Sequence, residues 1–213
     1  MDRRPISLRD LVWVRAVAAR LVRSGVKPNH ISILGVGFAA LSAAFLLLVP
    51  AAEPAWGSVL FIGAAAFIPF RGLCNLCDGL MAIEGGQRAP SGEIFNDLPD
   101  RVSDILFLVA AGYSLPGATW THELGWLAAL LAALTAYVRV LGGAAGAAQQ
   151  FVGPMAKPHR MAVMGLACIA AAVESAVGAW PSAIVGGLAV VAVGSAITIA
   201  RRTARVLQAL DAR

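Results

Sequence analysis

Apolar residues in this chain fall into six long runs, at about 30 to 50, 55 to 80, 91 to 113, 124 to 143, 160 to 179 and 181 to 200. Each is long enough to cross the roughly 30 Å hydrocarbon core of a bilayer as an α-helix. The second and third runs exceed that length and carry polar residues near the ends that face each other, so both are expected to project beyond the bilayer on one side. Ahead of the first run the pattern changes. Ile6, Leu11, Val14, Val17, Ala18 and Leu21 share one helical face, with Arg9, Arg15, Arg20 and Arg23 interspersed, as in a helix lying in the headgroup layer. No small-residue cleavage site follows a short apolar core, so the arm does not read as a signal peptide. Lys27-Pro28-Asn29-His30 then breaks the chain, with Asn29 the expected cap of the first span.

The pattern predicts an all-α integral membrane protein of six transmembrane helices preceded by an N-terminal amphipathic surface helix. Residues 1–213 form a single domain: 1–28 the interfacial helix and linker, 29–200 the six-helix bundle, 201–213 a basic cytoplasmic tail. Composition agrees, since 59% of residues are hydrophobic, only 14% are charged and the mean hydropathy is +0.75, which excludes an ordinary soluble domain. The 17 Lys and Arg lie in the N-terminal arm, around Arg71, Arg88 and Arg101, around Arg139, Lys157 and Arg160, and in the tail; the alternate loops at 50–56, 114–123 and 174–181 have none. By the positive-inside rule both termini, and the junction of the second and third spans, face the cytoplasm. The arm's charge reads as orientation and anchoring to anionic lipid ahead of any substrate role. Basic residues divided in this way, without an aromatic-rich stripe, argue against a nucleic-acid partner.

Cys74, Cys77 and Cys168 all lie inside apolar runs. They read as small buried thiols, because the C-x-x-C spacing lacks the second ligand pair a zinc site needs. Glycine and alanine are abundant, as in GGLAVVAVG at 186–194, and let membrane helices approach closely. Gly187 and Gly194 fit either internal packing or a homodimer face.

Between Asn75 and Asp104 acids and carboxamides recur at helical spacing. Asn75 and Asp78 are three apart, Asn96, Asp100 and Asp104 four apart, and Asp97, Asp100 and Asp104 stand at i, i+3 and i+7, so each set shares a helix face. Two such faces turned toward each other would surround a divalent cation with oxygen ligands. Ionisable groups are costly near a bilayer, which makes Asp78, Asp97, Asp100 and Asp104 functional candidates. Simple solvation at the interface gives no reason for the repeat.

The order Asn75, Asp78, Gly79, Ala82, Ile83, eight further residues, then Gly92, Asn96 and Asp100 resembles the signature of the CDP-alcohol phosphotransferases. That signature reads D-x-x-D-G-x-x-A-R, eight or nine residues, then G-x-x-x-D-x-x-x-D. The spacing agrees throughout, while Asn75, Ile83 and Asn96 differ in identity, as in a divergent subgroup with Asn at two of the four motif Asp positions. A six-helix layout behind an N-terminal surface helix is also typical of that family.

The resemblance implies a metal-dependent transferase of phospholipid biosynthesis in a bacterial inner membrane, with its active site facing the cytoplasm. It would move a substituted phosphate, as phosphatidyl, from a CDP-linked donor such as CDP-diacylglycerol to an alcohol, releasing CMP. The acceptor would be a phosphorylated polyol or a lipid alcohol. One or two Mg²⁺ or Mn²⁺ ions would be held by Asp78, with Asn75 and Asn96 in ligand positions, Asp97 and Asp104 compensating, and Asp100 as ligand and base toward the acceptor hydroxyl. Gly79, Ala82 and Gly92 would line the nucleotide pocket, and Arg88 or Arg101 would replace the motif arginine missing at Ile83.

Elementary chemistry asks for the same groups. A pyrophosphate carries several negative charges that a dication neutralises, and deprotonating an alcohol at neutral pH needs a positioned carboxylate. Asn in place of two aspartates keeps carbonyl oxygens but removes two charges, which favours a single metal over two. Arg139, Lys157 and Arg160 form a second polar cluster, readable as an anion pocket for a phosphate of the acceptor or lipid; an ordinary positive-inside loop explains Arg160 equally well. Two other classes fit the composition. One is a noncatalytic lipid- or nucleotide-binding protein of the same fold; the other is a small cation-coupled transporter, which should place polar groups nearer the bilayer midplane.

Overall fold

The structure, a computed structural model, describes residues 12–83 and 91–212. Among these residues seven α-helices follow one another: α1 (Val12–Arg23), α2 (Pro28–Leu48), α3 (Gly57–Ile83), α4 (Gly92–Tyr113), α5 (Trp120–Ala144), α6 (Lys157–Ala176) and α7 (Ser182–Asp211). Two short 3-10 turns, Val49–Ala51 and Pro54–Trp56, join α2 to α3. Helices α2 to α7 coincide with the six apolar runs to within a few residues, except at the C-terminus. There α7 continues through the expected basic tail to Asp211, and Arg202 is buried.

The helix starts follow backbone chemistry. At α2, Lys27 occupies the cap in extended conformation and Pro28 opens the helix, so Asn29 is not the cap. Proline suits that place because its missing N–H would have no intrahelical partner and its φ is already helical.

Among the described residues four helices, spanning Pro28–Ala51, Gly57–Ala82, Trp120–Ala144 and Ser182–Asp211, are long and apolar enough to cross a membrane. The other two long helices carry charge: α4 bears Asp97, Asp100, Arg101 and Asp104, and α6 bears Lys157, His159, Arg160 and Glu174. Packing closes the six into a ring, with α2 against α3 and α4, α6 against α3 and α7, and α5 against α4 and α7. Of the expected interfacial segment, α1 is described from Val12; it lays Val14 and Ala18 against α3 and leaves Val12 and Trp13 exposed.

Large and small apolar residues exchange their usual places. Ala64, Ala111, Ala128, Ala132 and Ala171 fill the interior among Phe61, Leu108, Met164 and Leu188, while Leu41, Ile62, Leu130, Leu166 and Val193 are exposed. Small interior residues let helices approach closely where lipid solvates the outer side chains. At the α4–α5 crossing a Cβ on Gly112 would stand 2.5 Å from the Thr121 carbonyl and 2.9 Å from Gly125 Cα, so this contact is backbone against backbone. Gly187 faces Ala167 and Gly194 faces Met155, which assigns both to internal packing. Cys74, Cys77 and Cys168 are free and buried, as expected of thiols in apolar runs.

Candidate active site

Successive helices alternate in direction, so α2, α4 and α6 begin where α3, α5 and α7 end. The polar residues of the two motif halves meet at that end. On α3, Arg71, Asn75 and Asp78 stand at i, i+4 and i+7 on one face. With Ser32 and Gly35 of α2 and Pro99, Asp100 and Ser103 of α4, they line a small cleft. A second, more apolar cleft adjoins it, lined by Ala39, Ile68, Phe107 and Met164 and sharing Arg71 and Ser103 with the first.

Asp78 is 6% exposed and receives a 2.6 Å hydrogen bond from Ser32 Oγ on Oδ2. Its Oδ1 is buried with no hydrogen-bond partner among the described residues. Asp100 has the opposite environment. Arg71 Nη2 donates to its Oδ1 at 2.7 Å, Lys157 Nζ contacts the same oxygen, and Arg101 Nη2 stands 3.8 Å from Oδ2. Lys157 also donates to Asn75 Oδ1, so one ammonium joins α6 to both halves of the motif.

The remaining acids of α4 are tied elsewhere. Arg139 Nη2 on α5 donates to both oxygens of Asp97 at 2.7 Å, and its Nη1 donates to Gln149 Oε1 at 2.9 Å. Arg160 Nη2 on α6 donates to Asp104 Oδ2 at 2.7 Å and its Nη1 to the Met155 carbonyl at 3.2 Å. Arg202 of α7 fixes the loop beneath, donating to the carbonyls of Val152 and Thr135. The Arg160–Asp104 pair is buried and positions its helices firmly, because each charge would be costly without its partner.

Of the candidates read from sequence, Asn75, Asp78, Asp100 and Lys157 come together with Arg101 beside them. Asn96 is exposed; Asp97 and Asp104 are held by arginines. Lys157, Arg139 and Arg160, expected at an acceptor phosphate, contact Asp100, Asp97 and Asp104 respectively. Gly79 is buried, Ala82 is half-buried, and Gly92 opens α4 with free space where a Cβ would stand. Arg88 lies outside the described residues. Sequence reading missed Arg71 and Ser32 as site residues. Arg71 had a usable signal, an arginine inside an apolar run one turn before Asn75; Ser32 had none, since serine is common in such helices.

A divalent cation takes several oxygen ligands, and a carboxylate oxygen without a competing hydrogen bond is readily available to it. Asp78 Oδ1 is such an atom among the described residues, and Asn75 and Asp100 line the same cleft. Among the described residues no three Asp, Glu, His or Cys side chains converge to hold a metal by themselves. An ion here would therefore draw on Asp78, a carboxamide and oxygens of the ligand.

No known family's sequence profile matches the chain. It is 28% identical over 153 residues to the inner membrane protein YnbA of Escherichia coli K12, an alignment spanning 72% of each protein. Among solved structures it resembles the phosphatidylinositol phosphate synthase PgsA1 of Mycobacterium tuberculosis. With the form that has CDP-DAG bound, the TM-score is 0.73 at 22% identity, over 91% of this chain and 92% of that one. With the form in complex with manganese and citrate, the TM-score is 0.74 at 22% identity, over 91% and 88% of the two chains. At this identity the likeness establishes a shared fold.

Proposed function

We propose that this protein is a metal-dependent CDP-alcohol phosphatidyltransferase of a bacterial inner membrane, with six spans and an active site facing the cytoplasm. The observation that carries the reading is the meeting of Asp78 and Asp100, one from each motif half, in a cleft lined by Arg71, with Lys157 against Asp100. Its architecture is that of a synthase solved with CDP-DAG bound, which supports CDP-diacylglycerol as donor.

The proposed ligand set is Asp78 with Asn75 and Asp100 beside it. Asn96, Asp97 and Asp104 are left out of this set because they do not line that cleft, whereas Asp100 lines it despite its basic partners. A bound Mg²⁺ or Mn²⁺ would neutralise charge on the donor's pyrophosphate. Arg71, Arg101 and Lys157 supply further positive charge to the phosphates, in the role the sequence leaves vacant at Ile83.

Asp100 acts as base on the acceptor hydroxyl. The acceptor oxygen forms a bond to the lipid-side phosphorus, the anhydride P–O bond breaks, CMP leaves with the electron pair, and the proton passes to Asp100. Arg71 and Lys157 hold Asp100 in the free protein, so their transfer to the donor's phosphates uncovers the base only when donor is bound.

A second reading, a noncatalytic lipid- or nucleotide-binding protein of the same fold, is favoured by one observation: Asp97, Asp100 and Asp104 each carry a basic partner. CMP release separates the two. Purified protein with CDP-diacylglycerol, Mn²⁺ and a panel of phosphorylated polyols and lipid alcohols should release CMP in an acceptor-dependent manner, and Asp100→Asn should lower the rate about 10²- to 10⁴-fold. Donor binding without CMP release across the panel would establish the noncatalytic reading.

A further inference from the structure

Beside the cleft stands a cation of the protein's own, in contact with two of its lining residues. Lys157 Nζ touches Asn75 Oδ1 and Asp100 Oδ1, joining the two motif halves that a bridging metal ion would otherwise join. The surroundings fit a monovalent charge better than a second dication. Asn75 is neutral, and Asp100 Oδ1 already accepts from Arg71. Only Asp78 Oδ1 is left as a buried carboxylate oxygen without a partner among the described residues.

From this we infer that the Lys157 ammonium is a resident cation of the active site, standing in for a second divalent ion, so that the protein binds one divalent ion, at Asp78. The inference rests on the transferase reading and specifies how its site balances charge. Asn75 and Lys157 form a matched pair: a carboxamide accepts an ammonium hydrogen bond without the charge that would recruit another dication, and the ammonium repels one. The pairing also gives the departure at position 75 a chemical purpose. A site built this way retains part of its electrostatic assistance to the phosphates at low metal concentration, because a tethered ammonium does not dissociate.

Counting bound manganese by electron paramagnetic resonance, with purified protein in lipid nanodiscs, tests the inference without reference to turnover. Wild type should bind one Mn²⁺ per chain, with no exchange-coupled pair. The double variant Asn75→Asp/Lys157→Gln should bind two and show the coupled spectrum, while Asn75→Asp alone, with the ammonium retained, should still bind one. Lys157→Arg should stay at one, and size-exclusion profiles verify that each variant is folded. Two ions in wild type or in Asn75→Asp would overturn the inference while leaving the transferase reading intact. A double variant that is folded but stays at one ion would also overturn it. Absence of bound manganese in every protein would overturn both the inference and the metal-dependent reading, with CMP release as the independent check on the latter.

Discussion

Asp78 and Asp104 are buried to nearly the same degree, 6% and 8% exposed, yet they sit in opposite chemical settings. Asp104, on α4, is clamped by Arg160, whose remaining contacts run to Thr135 and the Met155 carbonyl. Asp78, on α3, has one hydroxyl on one oxygen and nothing on the other among the described residues. Burial alone therefore does not mark a functional carboxylate. What separates the two is whether the fold sets a cation in direct contact with the carboxylate: a satisfied pair maintains the architecture, and an incompletely satisfied carboxylate is a place for a ligand.

Substitution should separate the two roles cleanly. Asp78→Asn is expected to abolish CMP release while leaving the thermal midpoint in nanodiscs unchanged or raised, since it removes an incompletely paired buried charge. A midpoint loss comparable to that of an Asp104 variant would erase the contrast. Arg160→Ala should do the reverse, costing about 3–5 kcal/mol of stability by stranding Asp104 without its partner. Simultaneous replacement by Arg160→Met and Asp104→Leu should recover most of that loss, and failure to recover would show that Arg160 matters for another reason.

Ser32→Ala should fall between these extremes. Its hydroxyl donates to Asp78, and loss of one hydrogen bond to a charged group is expected to weaken Mn²⁺ binding about tenfold, read from a manganese titration. Unchanged affinity would show that Asp78 is oriented by other contacts. The smallest effect belongs to Asp97→Asn. The Arg139–Asp97 pair is partly open to solvent, so its loss should cost at most about 1 kcal/mol, detectable as a small shift in thermal midpoint.

Hydropathy and helical periodicity are local properties, and they were enough to place the helices of the bundle along the chain. Local rules also located the acidic sets on α3 and α4, and the spacing between them carried the resemblance to a transferase signature. They failed where one residue's environment depended on another helix. The segment 201–211 looked like a tail because it is basic, but Arg202 finds carbonyls of Thr135 and Val152 and the helix runs on. Gly187 and Gly194 admitted two readings until Ala167 and Met155 were found against them.

The sequence by itself determined the membrane-type helices, the end of the bundle where polar chemistry gathers, and the residue types available for it. Tertiary structure decided which carboxylates are paired and which is left open. The deciding partners are remote in sequence: Arg139 lies 42 residues from Asp97, Arg160 lies 56 from Asp104, and Lys157 lies 82 from Asn75. Charge pairing acts over a few ångströms in space, and only the closing of the helix ring brings those groups within that range.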